Sequence, residues 1–145
     1  MEKILLPKQF LRNIAQGLIG IPFQHCGRDS SKGLDCLGLV LEFYRRLGFS
    51  LSDPIGTYRE EWWRDDPDLI GIHIGSYFDS IDYLSSGSVL TVRPIGVSIP
   101  AHLMVYLGDN IALNTDRKTG SHILRLSVIQ RHICGIYQYR GLEVQ

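Results

Sequence analysis

The residues of this chain that could carry nucleophilic chemistry are three cysteines and five histidines. Cys36 is the first candidate because it follows Asp35, a residue type common at helix N-caps, and begins an apolar run with helical spacing. A helix N-terminus stabilises a thiolate, which is the attacking form of cysteine, and its free N–H groups can hold an oxyanion. A cysteine can also pack as a small apolar residue. Local context leaves both interpretations open.

The other two cysteines carry no comparable signal. An odd number of cysteines without a C-x-x-C pair argues against a disulfide framework and against a closed zinc site, so we expect neither a metal nor a cofactor. Cys134 lies in an apolar, strand-like run and is expected in the core. Cys26 and the adjacent His25 lie in a polar loop, where spacing gives no support to a metal or redox role.

Two helices are predicted to position the first half of the candidate site. The first opens at Pro7 and continues to Leu18, with apolar residues at the helical period. The second covers 34–47, with Asp35 as its N-terminal cap and Gly48 just beyond its end. Weaker patterns predict short helices at 58–64 and 66–77.

The sequence changes character at Gly87. From there, short β-rich runs alternate with Gly, Asp, Asn and Pro. These runs cover 88–93, 102–107, 111–114, 122–126 and 133–140. Helices followed by an antiparallel sheet form an α+β arrangement.

Length and composition predict one domain, residues 1–145, with 44% hydrophobic residues to form its core. Lys plus Arg and Asp plus Glu number 15 each, so the chain has no global charge to attract nucleic acid. The apolar N-terminal run ends at Pro7, which is too early for a signal peptide. No apolar run is long enough to insert into a membrane. These features, with unpaired thiols, predict synthesis and folding in a cytoplasm.

Several segments, taken in order, resemble the NlpC/P60 family of papain-like cysteine peptidases. The segment GLDCLGLV at 33–40, preceded by IPF at 21–23, resembles the family's nucleophile segment. AHLMVYLG at 101–108 resembles its histidine strand, and GSVL at 87–90 resembles the strand before it. Asn114, in the run IALN, falls where the family has a third polar residue. The resemblance implies a papain-like fold with N-terminal helices packed on a C-terminal antiparallel sheet.

The resemblance also implies a catalytic set. Cys36 would be the nucleophile, His102 its base, and Asn114 the group that orients the histidine, with His122 as the second choice for that third position. Asp35 corresponds to a family residue linked to binding the free amine of a stem peptide. Phe23 stands where the family has a tyrosine that helps to form the oxyanion hole, and Gln24, twelve residues before Cys36, is predicted to supply the missing donor.

The function implied is that of a cysteine peptidase or amidase acting on peptidoglycan stem peptides. The residue after the cysteine and the short N-terminus look most like variants encoded with phage tail genes, which predicts delivery on a virion tail and phage tail proteins as further partners. The alternative is a phage tail assembly or structural component that keeps the fold with weak or no hydrolase activity.

Overall fold

A six-stranded antiparallel sheet forms the centre of the computed structural model, which describes residues 2–53, 57–60, 62, 75 and 77–145. Its strands are β4 (Phe78–Ile81), β5 (Val89–Val92), β6 (His102–Gly108), β7 (Ile111–Asp116), β8 (Gly120–Arg125) and β9 (Ile133–Tyr139). Their order across the sheet is β4-β9-β5-β6-β7-β8. Helices α1 (Lys8–Gln16) and α2 (Cys36–Leu47) pack against this sheet, so the predicted α+β class is confirmed.

In the described part of the chain, two short strand pairings lie outside this sheet. Strand β1 (Ile4–Leu6) pairs in parallel with β10 (Leu142–Val144), and β2 (Arg28–Asp29) pairs with β3 (Gly33–Leu34). Runs of two to four residues are too short to show a periodic pattern, and the sequence did not predict these strands or β4. The helices predicted at 58–64 and 66–77 lie largely outside the described residues. No helix among the described residues is long and apolar enough to cross a membrane.

Helix α2 begins and ends where its sequence predicts. The Asp35 carboxylate accepts a hydrogen bond from the Gly38 N–H at 2.8 Å, which satisfies one free donor of the first turn. Gly48 has φ of 107°, a left-handed conformation that closes the last turn. Phe43 and Tyr44 are fully buried in the main core between this helix and the sheet.

Strand β6 separates two apolar clusters by the alternation of its side chains. Leu103, Val105 and Leu107 belong to the main core under the helices, whereas Met104 and Tyr106 belong to a smaller cluster on the opposite face. The turn from β6 to β7 is a two-residue hairpin, in which Asp109 and Asn110 both have positive φ. This short connection fixes the register of β7 against the histidine strand.

Candidate active site

Cys36 is the first residue of α2 and packs partly buried against the main core. The backbone N–H groups of Leu37 and Leu103 donate toward its sulfur. Leu103 immediately follows His102, so the thiol lies against the beginning of β6. The predicted position of Cys36 at a helix N-terminus is confirmed.

A cavity of about 240 Å³ brings Cys36 and His102 together. Its wall also includes side chains from the loop before α2, from the segment after residue 57 and from the end of β7. These are Phe23, His25, Asp35, Tyr58, Glu60, Trp62, Pro94, Ala101, Thr115, Asp116 and Arg117. The Thr115 hydroxyl is buried without a hydrogen-bond partner in the described part of the chain, so its capacity to bond is open to a bound molecule.

His102 is held through one ring nitrogen by Asn114. Its Nε2 lies 2.5 Å from Oδ1 of Asn114, and Asn114 is only 6% exposed. His122 contacts Asn114 from the other side, with 3.5 Å between its Nε2 and Nδ2 of Asn114. Asn114, the first choice from the sequence for the third position, therefore makes the hydrogen bond to His102, and His122 does not. Burial lowers the pKa of His102, against the hydrogen bond that Asn114 accepts, so the imidazole is neutral at neutral pH and able to accept a proton.

Asp35 is buried and surrounded by donors of the protein itself. One oxygen accepts from the Gly38 N–H and from Nη1 of Arg28, both at 2.8 Å. The other accepts from the Cys26 N–H at 3.0 Å and from the Tyr58 hydroxyl. A carboxylate offers about four acceptor positions, and all four are used. The expectation that Asp35 binds a substrate amine conflicts with this geometry.

A profile of the NlpC/P60 family matches residues 20–138, which include every candidate residue described above. The chain belongs to the NlpC/P60 family. No curated protein sequence matches it significantly.

Solved NlpC/P60 structures share the fold at low sequence identity. A family protein from Bacillus cereus is 18% identical with a TM-score of 0.67, and the alignment covers 92% of this chain but only 40% of that one. The NlpC/P60 domain of the peptidoglycan hydrolase SagA is 16% identical with a TM-score of 0.61, over 92% of this chain and 99% of that domain. RipD from Mycobacterium tuberculosis, described as a non-catalytic peptidoglycan-binding protein, is 14% identical with a TM-score of 0.60, over 92% and 96% of the two chains.

Two features of this NlpC/P60 site were not predicted from the sequence. Arg28 pairs with Asp35 and, through Nε at 2.7 Å, with Asp53, so that its charge lies beside the candidate nucleophile. Tyr58 closes the same network from a segment more than twenty residues away. None of the relatives described above supports the phage-tail assignment.

Gln24 does not occupy the position predicted for an oxyanion donor. It is exposed and is not among the residues that line the cavity, whereas the preceding Phe23 is. Its Oε1 lies 3.2 Å from the point where a Cβ on Gly33 would stand, so the side chain covers the Gly33 backbone. Phe23 therefore faces the cavity, whereas Gln24 lies over Gly33 and is exposed.

The expectation of a stabilised thiolate is wrong, because the surroundings of the sulfur favour the thiol. Burial, followed by the charge of Asp35, raises the pKa of the Cys36 thiol to about 12, against the N–H groups of Leu103 and Leu37 and the charge of Arg28. The favourable helix N-terminus is outweighed because the sulfur lies among apolar groups beside a carboxylate. At neutral pH the pair therefore consists of a thiol and a neutral imidazole.

His25, Cys26 and Asp35 could offer a metal ion three ligand atoms within 4.8 Å of one another. The hydrogen bonds and the ion pair that these residues already make oppose metal binding. Nε2 of His25 bonds the Tyr58 carbonyl oxygen at 2.5 Å, and the Asp35 carboxylate is paired with Arg28. A cation would have to displace these partners, so the arrangement favours a hydrogen-bonded network over a metal centre.

We expect alkylation of Cys36 by iodoacetamide to accelerate about tenfold per pH unit between about pH 6 and pH 10, because only the thiolate reacts. With a pKa of about 12, the thiolate stays a minor species throughout this range. Peptide mass analysis after quenching gives the rate at each cysteine, and the exposed Cys134 serves as the internal reference. A rate at Cys36 that is independent of pH below neutrality would reveal a thiolate–imidazolium pair and contradict the prediction.

Proposed function

We propose that this protein is a cysteine hydrolase that cleaves amide bonds in the peptide stems of bacterial peptidoglycan. The observation that carries the proposal is the cavity shared by Cys36 and His102, where the imidazole is held by Asn114. Membership of the NlpC/P60 family supports the substrate class, since a relative with this fold is described as a peptidoglycan hydrolase.

In the proposed reaction, the ring nitrogen of His102 that is not held by Asn114 removes the proton from the Cys36 thiol. Sulfur attacks the carbonyl carbon, and the C–S bond forms as the carbonyl oxygen takes the negative charge. His102 then donates the proton to the leaving nitrogen as the C–N bond breaks. Water, deprotonated by the same nitrogen, hydrolyses the thioester and regenerates the thiol.

The raised pKa of the thiol fits general-base catalysis better than a preformed ion pair. A neutral thiol and a neutral base exchange the proton only while the carbonyl is being attacked, which keeps charge out of the buried site beforehand. The unpartnered hydroxyl of Thr115 is proposed to donate to the bound substrate. Asp35 acts by fixing the start of α2 and the positions of Arg28 and Tyr58.

Binding of peptidoglycan without cleavage is the second candidate. Phe23 cannot donate a hydrogen bond, and Gln24 is turned away from the cavity, so the side chains predicted to form the oxyanion hole do not contribute to it. RipD, a relative with this fold, is described as non-catalytic and adapted to peptidoglycan binding. The same cavity would then hold a stem peptide without turning it over.

Incubation with purified peptidoglycan, followed by mass analysis of the soluble fraction, tests the two candidates directly. Hydrolysis predicts soluble fragments from cleavage at a single type of amide bond, with the new carboxylate on one product and the new amine on the other. Sedimentation of the protein with intact peptidoglycan, without soluble fragments, would instead support the binding function. Absence of both cleavage and co-sedimentation would contradict the proposed substrate class.

A further inference from the structure

A series of hydrogen bonds crosses three neighbouring strands and ends at His102. The Gly120 carbonyl oxygen lies 2.8 Å from Nδ1 of His122, and Nε2 of the same ring lies 3.5 Å from Nδ2 of Asn114. Oδ1 of Asn114 then lies 2.5 Å from Nε2 of His102. Asn114 and His122 are direct partners in the register of β7 and β8. One side-chain amide therefore connects the two imidazole rings.

The Gly120 carbonyl oxygen, at the far end of the series, determines which ring nitrogens of His122 and His102 carry hydrogen. A carbonyl oxygen only accepts, so Nδ1 of His122 must carry hydrogen, and Nε2 of the neutral ring is then an acceptor. Asn114 must direct its NH₂ group to that nitrogen and its oxygen to His102. Nε2 of His102 consequently carries hydrogen, and its Nδ1 has a free lone pair, as a base for a thiol proton requires.

We propose that His122 is a positioning residue that sets the tautomer of His102 through Asn114, and that protonation of His122 reverses this setting. The proton added at Nε2 turns that nitrogen into a donor, which the Asn114 NH₂ group cannot face. The amide rotates so that its oxygen accepts from His122 and its NH₂ group points to His102. Nε2 of His102 must then be unprotonated so that it can accept from this NH₂ group. The ring hydrogen moves to Nδ1 by exchange with water.

In the reversed tautomer His102 is still neutral, but it can no longer act as the base. One proton is taken from solvent by His122, and the number of protons on His102 does not change. With hydrogen on Nδ1, the ring has no lone pair for the Cys36 thiol. The catalytic consequence rests on the proposed hydrolase function, whereas the tautomer of His102 is a property of the folded chain alone.

The surroundings of His122 give it access to solvent protons. A second cavity of about 610 Å³, on the sheet face opposite the helices, is lined by His102, Asn114 and His122 together. Asp116 on β7 faces the His122 ring, with 3.9 Å between Oδ2 and Nε2. Arg93 after β5 and His132 before β9 line the same cavity.

Nuclear magnetic resonance of ¹⁵N-histidine-labelled protein reports the tautomer of His102 without any substrate, because long-range ¹H–¹⁵N correlations distinguish the two tautomers. Above the titration of His122, we expect hydrogen on Nε2 of His102. As the pH falls and His122 gains its proton, we expect the His102 signals to change to the Nδ1–H pattern. If His102 keeps one tautomer through that titration, or itself becomes charged first, the proposal is overturned.

His122→Gln provides the matched variant, since its amide oxygen can accept from Asn114 but does not titrate. His102 should keep hydrogen on Nε2 throughout, and kcat/KM should no longer fall with the His122 titration. One pH unit below that midpoint, the wild type should retain about a tenth of its maximum and the variant nearly all of it. His132→Gln, in the same cavity but outside the hydrogen-bond series, should leave the wild-type profile unchanged.

Identical pH profiles for His122→Gln and the wild type would overturn the proposal. If His122→Gln does not fold, the titration of the wild type by nuclear magnetic resonance decides the question. Failure of hydrolysis with a confirmed tautomer change would refute only the proposed function. Hydrolysis with an unchanged tautomer would refute only the role of His122.

Discussion

Replacement of Cys36 by alanine is expected to reduce peptidoglycan hydrolysis at least about 10⁴-fold, because neither Cys26 nor Cys134 is among the described residues that line the cavity. The substitution removes one partly buried sulfur atom at the first position of α2. Alanine favours the helical conformation, so the free energy of unfolding should change by less than about 1 kcal/mol. Fragment release measured by mass analysis and unfolding in urea give the two quantities.

Cys134→Ala is the matched control for this experiment. The expectation that Cys134 lies in the core is wrong, because this residue is exposed on β9. Its loss should leave the rate of hydrolysis within about twofold of the wild type. A folded Cys36→Ala protein that still releases fragments would exclude covalent catalysis at this position. Loss of activity together with loss of the fold would support a packing role for the sulfur.

Gly38→Ala is expected to destabilise the protein by about 3 kcal/mol or more, although alanine is the better helix former by about 1 kcal/mol. A Cβ at Gly38 would lie 2.0 Å from the Gly27 carbonyl oxygen, and backbone cannot rotate away as a side chain does. A Cβ at Gly27 would in turn lie 2.2 Å from the Gly33 carbonyl oxygen. The loop before α2 and the first turn of the helix are therefore in direct backbone contact. For a domain of this size, the melting temperature should fall by roughly 10 °C.

Gly17→Ala tests whether this effect comes from the close contact. Gly17 ends α1 with φ of −70°, and its Cβ would meet its nearest neighbour at an ordinary distance of 3.5 Å. Its free energy of unfolding should stay within about 0.5 kcal/mol of the wild type. Equal melting temperatures for the two variants and the wild type would show that the loop yields to a methyl group, contrary to the prediction.

The parts of the site that the sequence predicted depend on local signals. Asp35 and Gly48 mark the two ends of α2 by their own conformational preferences, so the position of Cys36 at its first turn follows from a few residues. The role of Asn114 was implied by the family resemblance, and the two-residue turn after His102 leaves little freedom in the register that brings the two residues together.

The parts that the sequence missed depend on residues that are distant along the chain. Arg28 and Tyr58 reach Asp35 from two separate segments, and no spacing in the sequence indicates that they meet. The pKa of Cys36 is raised because burial outweighs the helix terminus, and burial is known only once the chain has folded. Gln24 has the chemistry of a donor, but its exposed side chain lies over Gly33, which is a contact that no sequence pattern indicates.

The two reacting groups of the proposed site belong to different parts of the fold, since Cys36 begins a helix and His102 begins a strand. Their approach is maintained by apolar packing between helix and sheet, without a covalent link. Local opening at a helix terminus costs less free energy than global unfolding. Hydrolysis should therefore fail at lower urea concentration than the sheet does, and amide hydrogen exchange in the first turn of α2 should follow the loss of activity.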